Sequence, residues 1–369
     1  MRIMLTGGGS GGHLFPLIAI AREIKKNSLT NPILQGNPLE FIFMGPQTIG
    51  QEILQQENIE IKFIFSGKLR RYASIRIFLD FLGLFLGIFQ ALWNVFIFMP
   101  DVIFSKGGYG SLPVVFAGWL YRIPILIHES DSLPGLTNII SSHLAKKISV
   151  SFSEALNSFP AKKTALLGNP IREELLSGTK EEAIKIFNLT GDKPVLLIIG
   201  GSQGAQMINN FIVSVLPALT IKYEIIHQCG ENNYQDIKKQ IEGLKDYHFF
   251  AFLNETQIKN AYAVADLIIS RAGANSIFEI AANGKASIII PLPGSARDHQ
   301  RANAYNYAKS GAAIVLEQPN LTPHLFATRI AQLIENKELL QKMGESAKNF
   351  YRFDAGQKIA EEIIKLSHT

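Results

Sequence analysis

The sequence predicts an α/β protein with two Rossmann-like domains, each built on a doubly wound parallel sheet. One scheme occurs twice along the 369 residues: a short apolar strand runs into a glycine loop, which then opens a helix. The first copy carries the loop Gly7–His13 and the second the loop Gly200–Ala205. Regular alternation of strand and helix signals is typical of parallel sheets covered by helices on both faces.

Short runs rich in β-branched and aromatic residues mark the expected strands. In the first half these are Arg2–Thr6, Glu40–Met44, Ile61–Phe65, Val102–Ser105, Ile125–His128 and Ile148–Ser151. In the second half they are Val195–Ile199, Glu224–Gln228, His248–Ala251, Leu267–Ser270, Ala286–Ile290 and Ala313–Leu316. We expect the first helix from about Pro16 to Lys26, with the proline in its first turn. The halves are expected to join near Gly168–Pro170, because Asn-Pro marks a turn.

Composition narrows the class of protein. Hydrophobic residues make up 47% and charged residues 18%, which is typical of a folded core. The single cysteine, Cys229, lies in an apolar run, so we expect a buried thiol and no disulfide framework. A net charge of +5 suits an anionic small ligand or a membrane surface, and without a basic tract nucleic acid is the weaker partner. The start runs directly into a glycine loop, so a cytoplasmic location is expected.

One segment, Phe81–Met99, contains nineteen residues without a charge, close to the length that spans a bilayer. Gln90 and Asn94 interrupt it, and a span here would separate the first strand from its partners in the sheet. We therefore expect a surface helix that lies on a membrane, with a fully buried core helix as an equal alternative.

The loop Gly7–His13 has the features of an anion site. Its glycines let the backbone approach a ligand, and its N–H groups lie at a helix N-terminus, which favours a phosphate or pyrophosphate. His13 is a candidate catalytic or binding residue, or alternatively a cap of the turn. A second glycine cluster, Lys106–Ser111, follows the strand Val102–Ser105 and is expected at the same edge of the sheet.

A possible general base follows another strand of the first half. His128 is the last residue of the predicted strand Ile125–His128, and Glu129 follows it. A carboxylate placed at this strand end can take a proton from a sugar hydroxyl. The alternative, equally weighted, is that both side chains only orient loops.

In the second half, Gly200–Ala205 with Ser202 suits a nucleotide diphosphate. Glu279, just beyond a strand–helix turn at Gly273, is expected to accept ribose hydroxyls, unless it is an ordinary surface charge. Gln300 is suited to sugar hydroxyls, although its stretch alone would indicate a helix cap. We find no metal-ligand spacing, so we expect the leaving diphosphate to be stabilised by amides, a helix dipole and Arg172.

Taken together and in order, these motifs resemble the MurG family of glycosyltransferases over nearly the whole chain. The matching segments are Gly7–His13 with Phe15 and Pro16, Gly107–Pro113, His128 and Glu129, Pro134–Asn138, Gly168–Arg172, Gly200–Ala205, Arg271–Ala274 with Glu279, and Asp298–Gln300 with Asn303. The resemblance implies a GT-B fold, in which the two domains face a cleft. It implies an acceptor- and membrane-binding domain over residues 1–167, a UDP-GlcNAc-binding domain over 168–345, and a C-terminal helix, about 346–369, packed back on the first domain.

The resemblance also implies a set of site residues. The donor site would comprise Ser10, Gly11, Gly12, Asp131, Arg172, Ser202, Leu253, Ala274, Asn275, Ser276, Glu279 and Gln300. In it, Ser202 and Arg172 serve the diphosphate, Glu279 the ribose, and Gln300 the GlcNAc hydroxyls. The acceptor's diphosphate would lie on Gly9, Gly107, Gly108 and Tyr109. One departure is Asp131, where the family often has Asn.

The implied reaction transfers GlcNAc from UDP-GlcNAc to the C4 hydroxyl of undecaprenyl-diphosphate-linked muramyl-pentapeptide, converting lipid I to lipid II with inversion. It needs no cofactor and no metal, and His13 is ranked before Glu129 as the base. The family works on the cytoplasmic face of the bacterial plasma membrane, next to cell-wall synthesis and division proteins. An apolar and basic patch at the membrane would include Arg71, Ile75, Phe78, Phe85 and Trp93.

Three alternative functions remain open from the sequence. A UDP-GlcNAc 2-epimerase shares the two-domain architecture but has no lipid acceptor. A non-catalytic nucleotide-sugar module would not need His13 and Glu129 at the ligand. A galactolipid-type transferase is the nearest alternative in chemistry.

Overall fold

The computed structural model describes residues 1–9, 11–28, 38–47, 50–67, 75–200, 206–241 and 244–368. For residue 51 and residues 75–82 it describes the backbone alone. The chain divides into two compact units, Met1–Arg172 together with Phe353–Thr369, and Glu173–Arg352. Each unit is built on one parallel sheet, so the expected α/β class is confirmed.

The first unit contains seven strands in the order β3-β2-β1-β4-β5-β6-β7. The strands are β1 (Arg2–Thr6), β2 (Glu40–Gly45), β3 (Glu60–Phe63), β4 (Val102–Ser105), β5 (Ile125–Glu129), β6 (Lys147–Val150) and β7 (Thr164–Leu166). The helices are α1 (Gly11–Ser28), α2 (Gln51–Gln56), α3 (Ile75–Phe98), α4 (Leu112–Leu120), α5 (Leu136–Leu144) and the C-terminal α14 (Ala355–Leu366).

The second unit contains six strands in the order β10-β9-β8-β11-β12-β13. They are β8 (Val195–Ile199), β9 (Glu224–Gln228), β10 (Tyr247–Phe250), β11 (Leu267–Ser270), β12 (Ser287–Ile289) and β13 (Ala313–Val315). Its helices are α6 (Lys180–Phe187), α7 (Gln206–Leu219), α8 (Glu231–Gln240), α9 (Glu255–Val264), α10 (Ala274–Ala282), α11 (His299–Ala308), α12 (Pro323–Glu335) and α13 (Lys337–Phe350).

The strand predictions are confirmed to within two residues at each end, and the sequence missed only the short strand β7. This strand has three residues at the sheet edge, all partly or fully exposed, so it carries no alternating apolar signal. The predicted start of the first helix was wrong. Helix α1 begins at Gly11, and Pro16 lies inside it. Glycine has a low helix propensity, so the glycines at the start of α1 were interpreted as part of a loop.

Both faces of the first sheet are covered, because successive side chains of a strand point to opposite sides. Ile3 and Leu5 of β1 pack with α1 and α14, whereas Met4 packs with α3 and α4. Helix α14 contributes Ile359 and Ile363 to the core shared with α1. The C-terminal segment therefore supports the helix that follows the first glycine loop. In the second unit, Cys229 is a buried free thiol, as expected.

Substituting Ile363 by Ala should lower the free energy of unfolding by about 2–5 kcal/mol, because the side chain is fully buried between α14 and α1. Lys365→Ala, at an exposed position of the same helix, should stay within about 0.5 kcal/mol of the parent. Urea denaturation of the three proteins would measure this. Equal midpoints for both variants would contradict the packing of α14 on the first unit.

Candidate active site

The first glycine loop lies where the winding of the first sheet reverses. Strands β1 and β4 are neighbours, with Thr6 paired to Ser105, although a long stretch of chain separates them. The chain runs from β1 to β2 and β3 in one direction, and from β4 to β7 in the other. In open parallel sheets, ligands bind at this reversal, beyond the carboxyl ends of the strands. Both predicted glycine loops of this unit start there.

The two loops touch each other around His13, the third residue of α1. A Cβ atom added to Gly108 would lie 2.8 Å from Gly8 Cα and 2.9 Å from His13 Nε2. One added to Gly8 would lie 3.0 Å from His13 Nδ1. The imidazole is therefore held between the two backbones. Both Gly107 and Gly108 have positive φ, +81° and +80°, which favours glycine at these positions.

Other predicted residues of this site are close to the same contact. A Cβ atom added to Gly9 would lie 3.1 Å from the Tyr109 hydroxyl, so Gly9 and Tyr109 are also neighbours. Gly11 and Gly12 form the first turn of α1 with His13. Ser10 is outside the described residues. The structure thus brings together the predicted acceptor residues and one of the two candidate bases.

Glu129, the other candidate base, is buried and organises the loop that follows β5. Its Oε1 accepts a hydrogen bond from the Asp131 backbone N–H (2.9 Å), and its Oε2 accepts from the Gly135 N–H and the Asn138 side-chain amide (both 3.0 Å). Burial, followed by the charge of Asp131, raises the pKa of Glu129 to about 7. Its catalytic role stays a prediction, as does the contact of Asp131 with the sugar.

Beneath the loops lies a buried lysine that sequence reasoning did not select. Lys106 is 2% exposed, and its ammonium contacts His128, Ser130 and Asn169. The signal was present in the sequence, because Lys106 directly follows an apolar strand and precedes Gly107. His128, which is also buried, contacts the Gly168 carbonyl through Nε2 (3.0 Å).

The second unit has its own reversal, between β8 and β11. Strand β8 leads to Gly200, and β11 leads through Gly273 into α10. Ala274, Asn275 and Ser276 form the first turn of α10, where backbone N–H groups and the helix dipole favour an anion. Ser202 belongs to residues 201–205, which are outside the described chain. Of the predicted donor residues, Ala274, Asn275 and Ser276 therefore lie at the point where a nucleotide is expected to bind.

Glu279 has a specific partner that the sequence did not reveal. The buried Tyr262 hydroxyl of α9 donates a hydrogen bond to Glu279 Oε2 at 2.9 Å. This hydrogen bond orients the carboxylate on the second turn of α10. Long-range contacts between separate helices carry no sequence spacing, so no motif identified Tyr262.

The remaining donor candidates are held by backbone contacts. The Leu253 N–H donates to Gln228 Oε1 (3.1 Å), and the Leu292 N–H donates to Gln300 Oε1 (3.0 Å). Asn303 Nδ2 donates to the Ala272 carbonyl (3.2 Å), which ties α11 to the turn before α10. Arg297 and Asp298 precede α11 with φ of +55° and +57°, a conformation that side chains other than glycine seldom adopt.

Arg172 lies in the first unit and is 7% exposed. Its guanidinium lies over the ring of Phe15 in α1, 4.3 Å from the ring centroid, within the range of a cation–π contact. Its predicted role at the donor diphosphate stays a prediction. Among the residues that the structure describes, no three His, Cys, Asp or Glu side chains are grouped as metal ligands would be.

Helix α3 resolves the two alternatives for the apolar segment. Ala91 and Val95 are fully buried, whereas Phe85, Phe89 and Trp93 are 53%, 57% and 66% exposed. The helix is therefore not a fully buried core helix. Over the described part of the chain, no helix combines the length and apolar character needed to cross a membrane. Arg71 is outside the described residues, as are the side chains of Ile75 and Phe78.

The polar and small residues that interrupt the apolar segment hold α3 against a neighbouring loop. Gln90 Oε1 accepts a hydrogen bond from the Phe65 N–H at 2.8 Å, and Asn94 Nδ2 donates to the Gln90 carbonyl at 2.7 Å. A Cβ atom at Gly87 would lie 1.9 Å from the Phe65 carbonyl oxygen, so the helix approaches this loop closely. These polar and small residues pack α3 against the first unit, and the apolar face of the helix stays exposed.

Comparison with known families decides the class. Residues 3–150 match the glycosyltransferase family 28 N-terminal domain, and residues 195–359 match the glycosyltransferase family 28 C-terminal domain. The chain belongs to glycosyltransferase family 28. The family 28 assignment agrees with the two parallel sheets and with the glycine loops at the β1/β4 reversal.

Individual relatives of this family 28 enzyme match along its whole length. It is 39% identical over 367 residues to the UDP-N-acetylglucosamine–N-acetylmuramyl-(pentapeptide) pyrophosphoryl-undecaprenol N-acetylglucosamine transferase of Clostridium kluyveri, covering 99% of each chain. The crystal structure of Acinetobacter baumannii MurG is 29% identical, with a TM-score of 0.72 and 99% of each chain covered. The UDP-GlcNAc 2-epimerase of Neisseria meningitidis shares the fold at 14% identity, with a TM-score of 0.67 over 99% of this chain and 100% of that one.

Substituting Gly108 by Ala in this family 28 enzyme should lower the rate of sugar transfer by at least about tenfold. With φ 80° and ψ 158°, the residue adopts a backbone conformation that is essentially restricted to glycine, and the new methyl group would displace Gly8 or His13. Gly135→Ala is the matched control, because φ is −67° there and no atom lies within 4 Å of the added Cβ. Equal transfer rates for the two variants would show that this contact does not hold the catalytic geometry.

Proposed function

We propose that this enzyme transfers GlcNAc from UDP-GlcNAc to the C4 hydroxyl of the MurNAc of undecaprenyl-diphosphate-linked muramyl-pentapeptide, the step from lipid I to lipid II. The observation that carries this proposal is the contact of two glycine loops around His13 at the β1/β4 reversal of a family 28 N-terminal domain. Relatives that match 99% of the chain are named as transferases acting on the same donor and acceptor, which supports these substrates.

The first unit would bind the acceptor. Gly9, Gly108 and Tyr109 are partly exposed at the loop contact, Gly107 is buried beside them, and α1 starts there with its N-terminal N–H groups. An anion is stabilised at such a position by the N–H groups and the helix dipole. A diphosphate held here would place the attached sugar close to the imidazole of His13.

The second unit would bind the donor. The N-terminus of α10 and the loop after β8 suit the UDP diphosphate, with Ser202 and Arg172 as further contacts. Glu279, oriented by Tyr262, would accept ribose hydroxyl protons. Leu253, Ala274, Asn275 and Ser276 would line the uracil and sugar sites, and Gln300 with its free amide end would read the GlcNAc hydroxyls. The role of Ser10, Gly11, Gly12 and Asp131 at the donor stays a prediction.

The chemistry is a single displacement with inversion. The C4 oxygen of the acceptor attacks the anomeric carbon of GlcNAc as the bond from that carbon to the UDP oxygen breaks. His13 takes the hydroxyl proton, because a neutral imidazole is a competent base near neutral pH. UDP leaves with the bonding electron pair, and loop N–H groups stabilise its developing charge. Glu129 is the second candidate base.

The exposed face of α3 would hold the enzyme on the cytoplasmic side of the plasma membrane. Phe85, Leu86, Phe89, Trp93, Phe96 and Ile97 are exposed at helical spacing along it. Trp119 and Leu120 extend the apolar area at the end of α4, and Arg122 beside them adds positive charge. Such a face enters the headgroup region while basic residues attract anionic lipid. Cell-wall synthesis and division proteins are the expected neighbours at this membrane.

Purified enzyme given UDP-GlcNAc and a lipid I analogue should release UDP in proportion to acceptor, and a disaccharide product should form. His13→Ala should slow this transfer by roughly 100–10,000-fold, the range of a lost general base, with UDP affinity unchanged. Coupled UDP detection and mass spectrometry of the product measure both effects.

The matched control for that experiment is His143→Ala, an exposed histidine at the end of α5, which should keep the parent rate. Conversion of UDP-GlcNAc without acceptor, to UDP-ManNAc or to ManNAc and UDP, would indicate a 2-epimerase and overturn the proposal. Near-full turnover of His13→Ala would eliminate His13 as the base.

The double variant Phe85→Ala, Trp93→Ala should bind vesicles containing phosphatidylglycerol roughly 30–1,000-fold more weakly, because each exposed ring would lose about 1–2 kcal/mol of apolar burial. Phe353→Ala, which removes an 85% exposed ring away from α3, should leave binding unchanged. Vesicle sedimentation measures the partitioning. Unchanged sedimentation of the double variant would show that α3 is not the membrane contact.

A further inference from the structure

The buried Lys106 is not used by the reaction as described above. Lysine is almost never fully buried unless it is paired. Here the ammonium contacts three uncharged groups, the His128 imidazole, the Ser130 hydroxyl and the Asn169 side-chain oxygen, the last at 3.1 Å. Burying an ammonium among neutral groups costs desolvation free energy, so packing alone does not explain a lysine at this position.

The hydrogen bonds show that the enclosure suits the protonated amine. The Gly168 carbonyl can only accept, so His128 Nε2 must carry the hydrogen in that 3.0 Å contact. In neutral His128, the Nδ1 atom then has a lone pair and accepts from Lys106. Burial, followed by the charge of Lys106, holds the pKa of His128 well below its usual range. With Asn169 Oδ1 and Ser130 Oγ, the cage offers three acceptors to the three ammonium hydrogens.

Lys106 lies at the base of both glycine loops. Its backbone N–H donates to the Thr6 carbonyl (2.9 Å), the last residue of β1. Its Cβ would be 3.6 Å from a Cβ added at Gly7, and the next residue is Gly107. The loops above it present backbone and no side-chain charge, so the ammonium provides positive charge from beneath without blocking the surface.

The acidic groups near Lys106 stabilise its charged form, but they only partly offset the effect of burial. Burial lowers the pKa of Lys106 to about 7, and Glu129 and Asp131 act in the opposite direction. Glu129 itself has its pKa raised to about 7. His128 contacts the amine directly, and His13 lies across Gly108. An anion placed on the loops would therefore draw a proton onto the amine.

We propose that Lys106 is a positioning residue for the acceptor: its ammonium, held beneath the two glycine loops, fixes the acceptor's diphosphate on their backbone N–H groups. The inference rests on the proposed function for the identity of the diphosphate. It assigns the residue an electrostatic effect at short range rather than contact with the ligand. At the effective dielectric of a partly buried site, such a charge changes anion affinity by roughly 30-fold.

Direct binding of geranyl diphosphate by calorimetry tests this without any sugar transfer. Lys106→Met should weaken that binding roughly 30-fold and raise the acceptor KM by a similar factor, while the affinity for UDP changes less than about twofold. Lys285→Met is the matched control, because it removes a mostly buried lysine of the second unit that donates only to the Ala263 and Ala265 carbonyls. That variant should bind geranyl diphosphate as the parent does.

Proton uptake provides a second measurement that does not depend on the folding of Lys106→Met. Because burial lowers the pKa of the Lys106 amine to about 7, binding of geranyl diphosphate to the His13→Ala protein should take up protons at pH 8, measured in buffers of different ionisation enthalpy. No uptake, weaker UDP binding, or a lower melting temperature with unchanged geranyl diphosphate affinity would each overturn the proposal. Intact geranyl diphosphate binding without sugar transfer would instead contradict the proposed function alone.

Discussion

The close approach of two backbones, at Gly8 and Gly108, is the constraint on which the first unit's site depends. A Cβ atom at either glycine would meet the other loop or the imidazole of His13, so glycine is required at both positions, and the imidazole is confined by the loop contact. The pairing of β1 with β4 creates this approach by bringing together two loops distant in sequence. Changing either strand's register would separate them. The sheet thus determines the geometry of a site that lies entirely in its loops.

Much of this arrangement could be predicted from residue patterns. Strand runs such as Val195–Ile199, which is fully buried, carry a strong apolar signal, and their bounds were correct. The glycine loops followed because glycine at a strand end indicates close approach to a ligand. Glu279 was selected for the same positional reason. Features of this kind can be predicted from the sequence because they depend only on residues that are adjacent in the chain.

The features that sequence reasoning missed all depend on distant contacts. The start of α1 at Gly11 contradicts glycine's helix propensity, and the surrounding packing of Leu14 and Leu17 in the core overrides it. The hydrogen bond from Tyr262 to Glu279 joins two helices with no fixed spacing. Lys106 looked like part of a loop motif, and only its burial and three partners distinguish it. Such contacts require the tertiary structure.

Helix α14 has a consequence for the order in which the protein can mature. It follows the second unit in the chain, yet it packs on α1, which carries His13 in its first turn. The entire second unit, Glu173–Arg352, lies between these partners in the chain. During synthesis on the ribosome, the second unit can therefore close its own core while the first still lacks one helix. Support for α1 is complete only once α14 has been synthesised, so a nascent chain cannot finish the core behind the first glycine loop before the second unit has been made.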